Sequence, residues 1–513
     1  MAASSTYVAG HSEGTDLDKL VPDLPSGPLD KYRAGASFNW KEMKAYIDPP
    51  HIIAFKPYLP QTAPNNQHFL TQTTSNHLHF AFSTAKTASH GLVFAQLYTP
   101  DGVCHGLHCF IVPLRDPHTL QTYPGITIVD MGHKIGLNGI DNGWQWRLFP
   151  YIAATYAMDT FAKTFAKHFF EFRMESLQPE DKDRLALFGQ EVHGLSSAGK
   201  PLSGWLARDC IQECREACGG HGYLKYKCSG DGMCSVVCTG SGLGMLRDDN
   251  DANCTYEGDN NILLQQTSNW LLGVWANRAD AATCLFPMHT TDYLQHADHL
   301  LSHPWTTSPI TPHSTNKELV SVCRQALQWL VCWLCLRTSA ELDARTASGQ
   351  DQFTVRNNIQ VYLAHTLSLA YVKQVVLTWF EEWAQEAPAS LQPVLYRLCA
   401  LYGLTQMEKH MVPLVEGTIL DSLFTTNKPT TGGLVVDRSL ITTAQQHIRQ
   451  LCGELLPDAV ALVDSLAPPD FFLHSVLGNA DGKSHSMSSP HSMFKNHSHS
   501  PQPHITHRTV TTI

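Results

Sequence analysis

The segment CTYEGDNNILLQQTSNWLL, residues 254–272, carries the pattern from which fold and chemistry can be argued. Its second half predicts a helix that begins near Ile262. Asp259 or Asn260 would cap this helix, because short polar side chains accept hydrogen bonds from the free amides of a first turn. Local chemistry alone leaves Glu257 as a solvated residue before the helix, so the surrounding segments must decide whether it has a more specific role.

Composition limits the class of protein. A chain of 513 residues, 43% hydrophobic and 16% charged, predicts two to four folded domains. A formal charge of -10 argues against a nucleic-acid partner, which would need a broad basic surface. Fifteen cysteines without a signal peptide indicate free thiols in a reducing compartment. The longest apolar run, ALQWLVCWLCL, is too short to span a bilayer, so we expect a buried helix.

The first 143 residues differ in pattern from the rest. Residues 1–76 are rich in Pro, Ser, Thr and Asn, and only SFNWKEMKAYI has helical spacing, which indicates a truncated N-terminal region. Residues 77–143 contain the β-type runs HLHFAF, GLVFAQLY, GLHCFIVPL and ITIVDMG, separated by turn signals. They predict a small β-domain of four strands.

The remaining chain is helical up to its tail. We predict a first helical domain at 144–280, a second at 281–477 and a disordered tail rich in Ser and His at 478–513. The fold class is therefore mainly α with a small β-domain. The predicted helices cover 146–174, 185–218, 262–274, 317–345, 353–385, 391–412 and 440–466.

A second informative segment is CREACGGHGYL, residues 214–224, in which a predicted helix runs into Gly219 and Gly220, with Gly222 after them. Spacing alone favours a helix C-cap, where glycine adopts the left-handed conformation without strain. The alternative is a ligand site, because glycines let a phosphate or a large ring approach backbone amides closely.

Together, CGGHGY and LRDDNDANCTYEGDNNILLQQTSN resemble the acyl-CoA oxidases, flavoproteins of the acyl-CoA dehydrogenase superfamily, and look most like the peroxisomal type 3 branched-chain (pristanoyl-CoA) group. LPSGPLDKYRAGASFNWKEM, KTASHGLVFAQLYTPDGVCHG and DAVALVDSLAPPDFFLHSVLGNADG are similar to further segments of that family. The resemblance implies a truncated N-terminal helical part, a middle β-domain and two C-terminal helical bundles.

The resemblance also implies a reaction: α,β-dehydrogenation of an acyl-CoA thioester, with FAD as cofactor and oxygen as final electron acceptor. Glu257 matches the family's catalytic base, which takes the α-proton. That proton is weakly acidic, so we expect an apolar pocket that raises the pKa of the base, and donors to the enolate oxygen. The amide of Glu257 is one expected donor, and Tyr256 and Gly258 are expected to border the substrate.

By the same resemblance, FAD is expected to bind at Gly219, Gly220, Gly222 and Asp259. Gly219 and Gly220 match glycines that approach the FAD of a neighbouring subunit. The implied partner is a second copy of the chain or a full-length oxidase. The family usually carries a C-terminal Ser-Lys-Leu-type signal, but this chain ends Thr511-Thr512-Ile513, so the peroxisome is expected by resemblance and the cytosol is the alternative.

The chain departs from the family in several places. The flavin-contacting TE..HG.N segment is missing between Trp40 and Lys86, and FSTAKT replaces the expected G..GKT turn. After IDNG the chain passes directly to WQWRLFPYIAA, without the segments that bind flavin and substrate. We interpret these junctions as missing or altered exons.

Residues 224–243 form an insertion between the glycine segment and Glu257. Its cysteines raise the possibility of zinc, but their spacing is a weak match, and cysteines at i, i+4 and i+8 of a helix fit a packing face better, so no metal is expected. The cysteines concerned are Cys210, Cys214 and Cys218 before the insertion and Cys228, Cys234 and Cys238 within it.

Two functions follow from the sequence. The first is an FAD-dependent acyl-CoA oxidase of peroxisomal fatty-acid β-oxidation, which yields trans-2-enoyl-CoA and hydrogen peroxide. The alternative is a catalytically impaired relative, similar to a splice variant, that acts as a dimerisation or regulatory module.

Overall fold

Helices dominate the described part of the chain, together with one small sheet, so the predicted mainly α class with a small β-region is confirmed. The fold is a computed structural model. It describes residues 17–48, 78–80, 90–99, 103–116, 119, 121–124, 144–178, 180–219, 222, 241–280, 285–302, 310–359, 363–414, 438–468, 478 and 480.

The N-terminal helices are short and most of the later ones are long. Several begin at a polar cap, as Asp181 does by accepting hydrogen bonds from the amides of Asp183 and Arg184, both at 3.0 Å. The helices are α1 Leu17–Leu20, α2 Asp30–Ala34, α3 Trp40–Ile47, α4 Trp144–Leu177, α5 Lys182–Ala217, α6 Leu243–Asp251, α7 Asn260–Ala276, α8 Ala297–Ser302, α9 Asn316–Ala347, α10 Gln352–Ile359, α11 His365–Glu386, α12 Gln392–Lys409, α13 Arg438–Leu455 and α14 Ala459–Leu466.

The sheet has three antiparallel strands in the order β1-β2-β3. They are β1 Leu78–Phe80, β2 His90–Tyr98 and β3 Cys104–Pro113. Leu92 of β2 lies opposite Phe80 on one side and Ile111 on the other. Three of the four predicted strands are therefore found, and the fourth, ITIVDMG, lies outside the described residues.

The apolar core runs through the long helices. Phe161 of α4 stacks on Trp379 of α11, with ring centroids 5.5 Å apart. Within the described residues, α9 is the one helix whose length and hydropathy would suffice to cross a membrane, and 67% of its most apolar window is buried. The apolar run that the sequence assigned to a buried helix thus lies in the core, where Leu327, Leu330 and Leu334 are covered.

A buried carboxylate fastens the connection between the two helical regions. Glu191 of α5 is fully buried and accepts hydrogen bonds from the amides of Met288, at 2.6 Å, and Thr290, at 3.0 Å. The Thr290 hydroxyl lies 2.6 Å from Glu191 and 2.7 Å from the hydroxyl of Tyr371 on α11. Burial raises the pKa of Glu191, and the hydrogen bonds from the Thr290 hydroxyl and from the two amides partly offset this effect. These contacts cross the predicted domain boundary at 280/281. That boundary stays a prediction.

The N-terminal segment packs against the C-terminal helices. Asp458 is almost fully buried and accepts hydrogen bonds from the amide of Ser37, at 2.6 Å, and from its hydroxyl, at 2.8 Å. Arg33 forms an ion pair of 2.7 Å with Asp464. Lys44 donates to carbonyls at the end of α14, including that of Ala467 at 3.0 Å. These contacts join parts of the chain more than 400 positions apart.

Two predicted helices are each divided in the structure. The predicted helix 353–385 is found as α10 and α11, and residues 360–362 between them lie outside the described residues. The predicted helix 440–466 is found as α13 and α14, separated by the 3₁₀-helix Leu456–Asp458. Pro457 explains this second break, because proline has no amide hydrogen for the helical ladder.

Candidate active site

Glu257 lies in a turn between the 3₁₀-helix Ala252–Cys254 and the start of α7. Its φ is +57° and that of Gly258 is +103°. A left-handed conformation costs a residue with a side chain about 1–2 kcal/mol. The carbonyl of Ala252 holds the approach to the turn, since it accepts hydrogen bonds from the amides of Thr255 and Tyr256, both at 3.0 Å. A glutamate in such a conformation is a reasonable functional candidate.

Lys200 of α5 fixes the other side of the turn. Its ammonium group donates to the carbonyl oxygen of Gly258 at 2.6 Å and to Oδ1 of Asn260 at 2.8 Å. Sequence reasoning missed Lys200, because the contact with Gly258 spans 58 positions and no local pattern marks it.

Asp259 caps α7, which begins at Asn260. Its carboxylate accepts hydrogen bonds from the amides of Asn261, at 2.9 Å, and Ile262, at 3.3 Å. One of the two predicted caps is therefore confirmed, and the helix starts two residues earlier than predicted. This carboxylate is already occupied, so its predicted role in binding FAD stays a prediction without support from its contacts.

Two features require a glycine at position 258: its backbone conformation and the lack of space for a Cβ atom. A Cβ at this position would lie 3.0 Å from a methyl group of Leu263. The Glu257 turn therefore packs tightly on the first residues of α7. The close approach that Gly258 permits is to Leu263 of the same chain.

Glu257 is exposed to solvent in the described chain, so the expected apolar pocket around it stays a prediction. Its side chain and its amide make no hydrogen bond with the residues that the structure describes. Several exposed apolar side chains lie on α6, the turn and α7, among exposed carboxylates such as those of Asp248 and Asp251. The exposed apolar side chains there are Met245 at 45%, Leu246 at 54%, Tyr256 at 52% and Ile262 at 53%.

The glycine segment follows the end of α5. Gly219 has a φ of +55°, as the predicted C-cap requires, and no atom of the described residues lies within 4 Å of a Cβ built on it. Gly222 differs, because a Cβ there would lie 2.0 Å from the carbonyl oxygen of Arg215. Gly222 is thus needed for packing against its own helix. Gly220 lies outside the described residues.

The structure does not bring Gly219 next to Glu257 within one chain. Lys200 of α5 contacts the Glu257 turn, and Ala217 is the last residue of that helix. At 1.5 Å per residue these two positions are roughly 25 Å apart.

Helix α6 is held on α5 between these two points. Arg247 of α6 donates to Oε1 of Gln212 at 2.7 Å and pairs with Asp251 at 2.9 Å. The amide group of Asn250 donates to the carbonyl of Gly204 at 3.3 Å. These contacts position the segment LRDDND, so the chain enters the Glu257 turn from a fixed helix.

Replacing Lys200 by Met should loosen the Glu257 turn. The substitution removes two charge-assisted hydrogen bonds, which should lower the free energy of local opening by about 1–2 kcal/mol. Hydrogen exchange of the amides of residues 255–260 measures this effect. Lys182→Met, at the exposed start of the same helix, is the control. Equal protection of the turn in both variants would contradict the positioning role of Lys200.

Comparison with known families gives two matches. The family model for the acyl-CoA oxidase C-alpha1 domain matches residues 142–272, and the acyl-CoA oxidase model matches residues 320–491. Peroxisomal acyl-coenzyme A oxidase 3 of Homo sapiens is 34% identical, over 78% of this chain and 66% of the human protein. An acyl-coenzyme A oxidase of Caenorhabditis elegans is 31% identical, over 79% and 68%. The chain thus spans about two thirds of the length of these relatives.

Solved structures show the same fold. An acyl-CoA oxidase 3 from Yarrowia lipolytica has a TM-score of 0.54 and 19% identity, over 85% of this chain and 70% of that one. Acyl-CoA oxidase-1 of Caenorhabditis elegans, complexed with FAD and ATP, has a TM-score of 0.52 and 19% identity, over 81% and 68%.

Proposed function

This chain belongs to the acyl-CoA oxidase family, and we propose that it oxidises acyl-CoA thioesters to trans-2-enoyl-CoA in peroxisomal β-oxidation. The observation that carries the proposal is the conformation of Glu257: a left-handed glutamate, held by Lys200, whose carboxylate and amide are both free of partners among the described residues. A base and an adjacent donor left unused by the fold are what this reaction needs.

In this proposal the carboxylate of Glu257 accepts the α-proton, and its backbone amide donates to the thioester oxygen as negative charge develops there. Lys200 keeps both groups in place by holding the Gly258 carbonyl. Tyr256 and Gly258 would border the acyl chain. The exposed apolar side chains of Leu246 and Ile262 would be covered once substrate and a partner chain surround the turn, which supplies the apolar surroundings that the single chain lacks.

The residues present fit FAD in part. Among the described residues nothing covers the backbone at Gly219, which would let a ring or a pyrophosphate approach it, whereas Gly222 is closed off by Arg215. Bound near Gly219, FAD would supply the acceptor for a hydride from the β-carbon and the route for electrons to oxygen, which would give hydrogen peroxide. Because Gly219 and Glu257 are far apart in one chain, we propose a homodimer, or a heterodimer with a full-length oxidase, as the form that binds it.

A second candidate is a catalytically impaired dimerisation or regulatory module. The exposed apolar side chains of Met245, Leu246, Tyr256 and Ile262 support it, because a partner chain could cover them. In this reading the helices fold and pair with a full-length oxidase, while Glu257 stays in solvent.

The visible spectrum of the purified chain separates the two functions. The oxidase should carry a flavin band that is bleached when acyl-CoA is added without oxygen, and that returns with hydrogen peroxide when oxygen is admitted. Free CoA, which lacks the acyl α-carbon, is the control and should cause no bleaching. Colourless protein that stays colourless after incubation with FAD would contradict the oxidase and favour the module.

A further inference from the structure

The last turns of α4 carry large apolar side chains on the outside of the described chain. Phe170, Met174 and Leu177 recur at the i, i+4 and i+7 spacing of one helix face, and Phe169 borders them. We call these four residues the α4 stripe. Their exposed fractions are 45% for Phe169, 65% for Phe170, 52% for Met174 and 71% for Leu177. Single exposed apolar residues are common, whereas a contiguous stripe marks a contact surface.

The stripe lies on a part of the molecule that projects from the core. Phe161 of α4 and Phe188 of α5 are buried, and none of the described residues between them is buried. From Phe161 to Leu177 the helix continues for about 24 Å at 1.5 Å per residue. The stripe is therefore a convex surface. A lipid bilayer can cover such a surface without a preformed groove, which a protein partner would have to provide.

The opposite side of this part of α4 faces the protein. Phe172 packs edge-to-face on Phe188 of α5, with ring centroids 5.5 Å apart. The ring of His168 lies 5.6 Å from that of Trp379 on α11, and its Nδ1 lies 3.0 Å from the carboxylate of Glu171. These contacts fix the rotation of the helix, so the α4 stripe is held facing away from α5 and α11.

The charged side chains are divided between the two sides of the helix. The carboxylate of Glu175 turns towards α5, where it pairs with Arg184 at 2.5 Å. Lys167 and Arg173 are exposed beside the stripe and form no ion pair with any residue that the structure describes. The stripe thus combines apolar side chains with two unpaired positive charges. This combination is complementary to a surface of anionic lipids.

We propose that the α4 stripe docks on the surface of an anionic lipid bilayer. Phe170, Met174 and Leu177 enter the boundary between headgroups and acyl chains, and the helix lies in the plane of the interface. Lys167 and Arg173 meet the lipid phosphates. The formal charge of -10 on the whole chain opposes this contact only weakly, because charges more than about 8 Å from the lipid are largely screened at physiological ionic strength.

The docking does not rest on the proposed function, because it is measured without flavin or substrate. Its use does rest on that function: long-chain acyl-CoA thioesters are amphiphiles that partition into bilayers, so an oxidase on the bilayer surface would meet its substrate there. A chain that binds vesicles but shows no oxidation would contradict the oxidase and leave the docking intact. An active oxidase that stays in solution would contradict the docking alone.

Flotation of the full chain with lipid vesicles tests the proposal. Vesicles of phosphatidylcholine with about 30% phosphatidylserine should carry the wild type at low salt, and pure phosphatidylcholine should carry less of it. Phe170→Ser combined with Leu177→Ser should lower the partition coefficient at least about tenfold, because two inserted apolar side chains are lost. Arg173→Gln should lower it about fivefold, and only on the anionic vesicles.

The matched control is Phe353→Ser, because Phe353 of α10 is 80% exposed but lies outside the stripe. This variant should bind vesicles like the wild type. A wild-type chain that stays in solution with anionic vesicles at low salt would overturn the proposal, whether or not any variant folds. Binding that Phe170→Ser with Leu177→Ser leaves unchanged would also overturn it.

A second copy of the chain is the other occupant that the experiment detects. Sedimentation velocity of the wild type and of the variant with Phe170→Ser and Leu177→Ser measures the oligomeric state without lipid. A dimer that becomes a monomer in this variant, together with no binding to vesicles, would show that the stripe contacts another protein chain and would reject the bilayer.

Discussion

Glu257→Gln is expected to lower the rate of flavin reduction by acyl-CoA between about 10²-fold and 10⁴-fold, the range typical for loss of a general base. Glutamine has the same shape but cannot accept the α-proton. The carboxylate of Glu257 makes no hydrogen bond or ion pair with the described residues, so its neutralisation should leave the fold and the turn unchanged. Anaerobic stopped-flow recording of the flavin band measures the rate.

Two controls separate catalysis from binding in this experiment. The flavin content and melting temperature of Glu257→Gln should equal those of the wild type. Glu180→Gln, an exposed glutamate between α4 and α5, should keep the full rate. A wild-type rate in Glu257→Gln would show that another group takes the proton, and loss of flavin from the variant would show that the side chain serves binding instead.

Local features of this chain could be predicted because their causes lie within a few residues. Asp259 caps α7 through the amides of Asn261 and Ile262, both within three positions. The left-handed Gly219 follows directly from the end of α5. The break at Pro457 has an equally local cause and could have been read from the sequence, but helical periodicity on both sides hid it.

The surroundings of the candidate site could not be predicted, because they depend on contacts between distant residues. Lys200 reaches Gly258 across 58 positions. The packing of Gly222 against Arg215 assigns that glycine to the fold, although its motif suggested a ligand. The exposure of Glu257 also depends on tertiary contacts, so it could not be predicted from the local motif. That motif resembles the family closely, but it does not include the segments that would cover the side chain.

Lys373→Met is expected to stabilise the protein by about 2–3 kcal/mol at pH 7. Lys373 of α11 is almost completely buried, and its Nζ lies 3.1 Å from Nε2 of His410 at the end of α12. Burial, and then the charge of Lys409, lower the pKa of Lys373 to about 7. Burial and the nearby lysines likewise lower the pKa of His410 well below its ordinary value. At a pH where this amine is neutral in the fold but protonated in the unfolded chain, its burial therefore lowers the free energy of unfolding.

The direction of the pH dependence follows from that depressed pKa. Between pH 7 and about 10.4 the unfolded chain binds a proton that the folded chain does not, so this lysine makes the wild type more stable as pH rises. The stabilisation by Lys373→Met should accordingly be largest near pH 7 and shrink towards pH 10. Beyond that it should reverse, because methionine cannot replace the hydrogen bond to His410. Urea unfolding at several pH values measures the difference between variant and wild type.

The control for this titration is Lys167→Met, an exposed lysine on α4 that is as large as Lys373 but remains in water. Its effect on stability should stay within about 0.5 kcal/mol at every pH. A constant difference between Lys373→Met and wild type from pH 7 to 10 would mean that Lys373 keeps its proton in the fold. A carboxylate or bound anion would then have to compensate its charge, and the buried pair with His410 would be ionic rather than neutral.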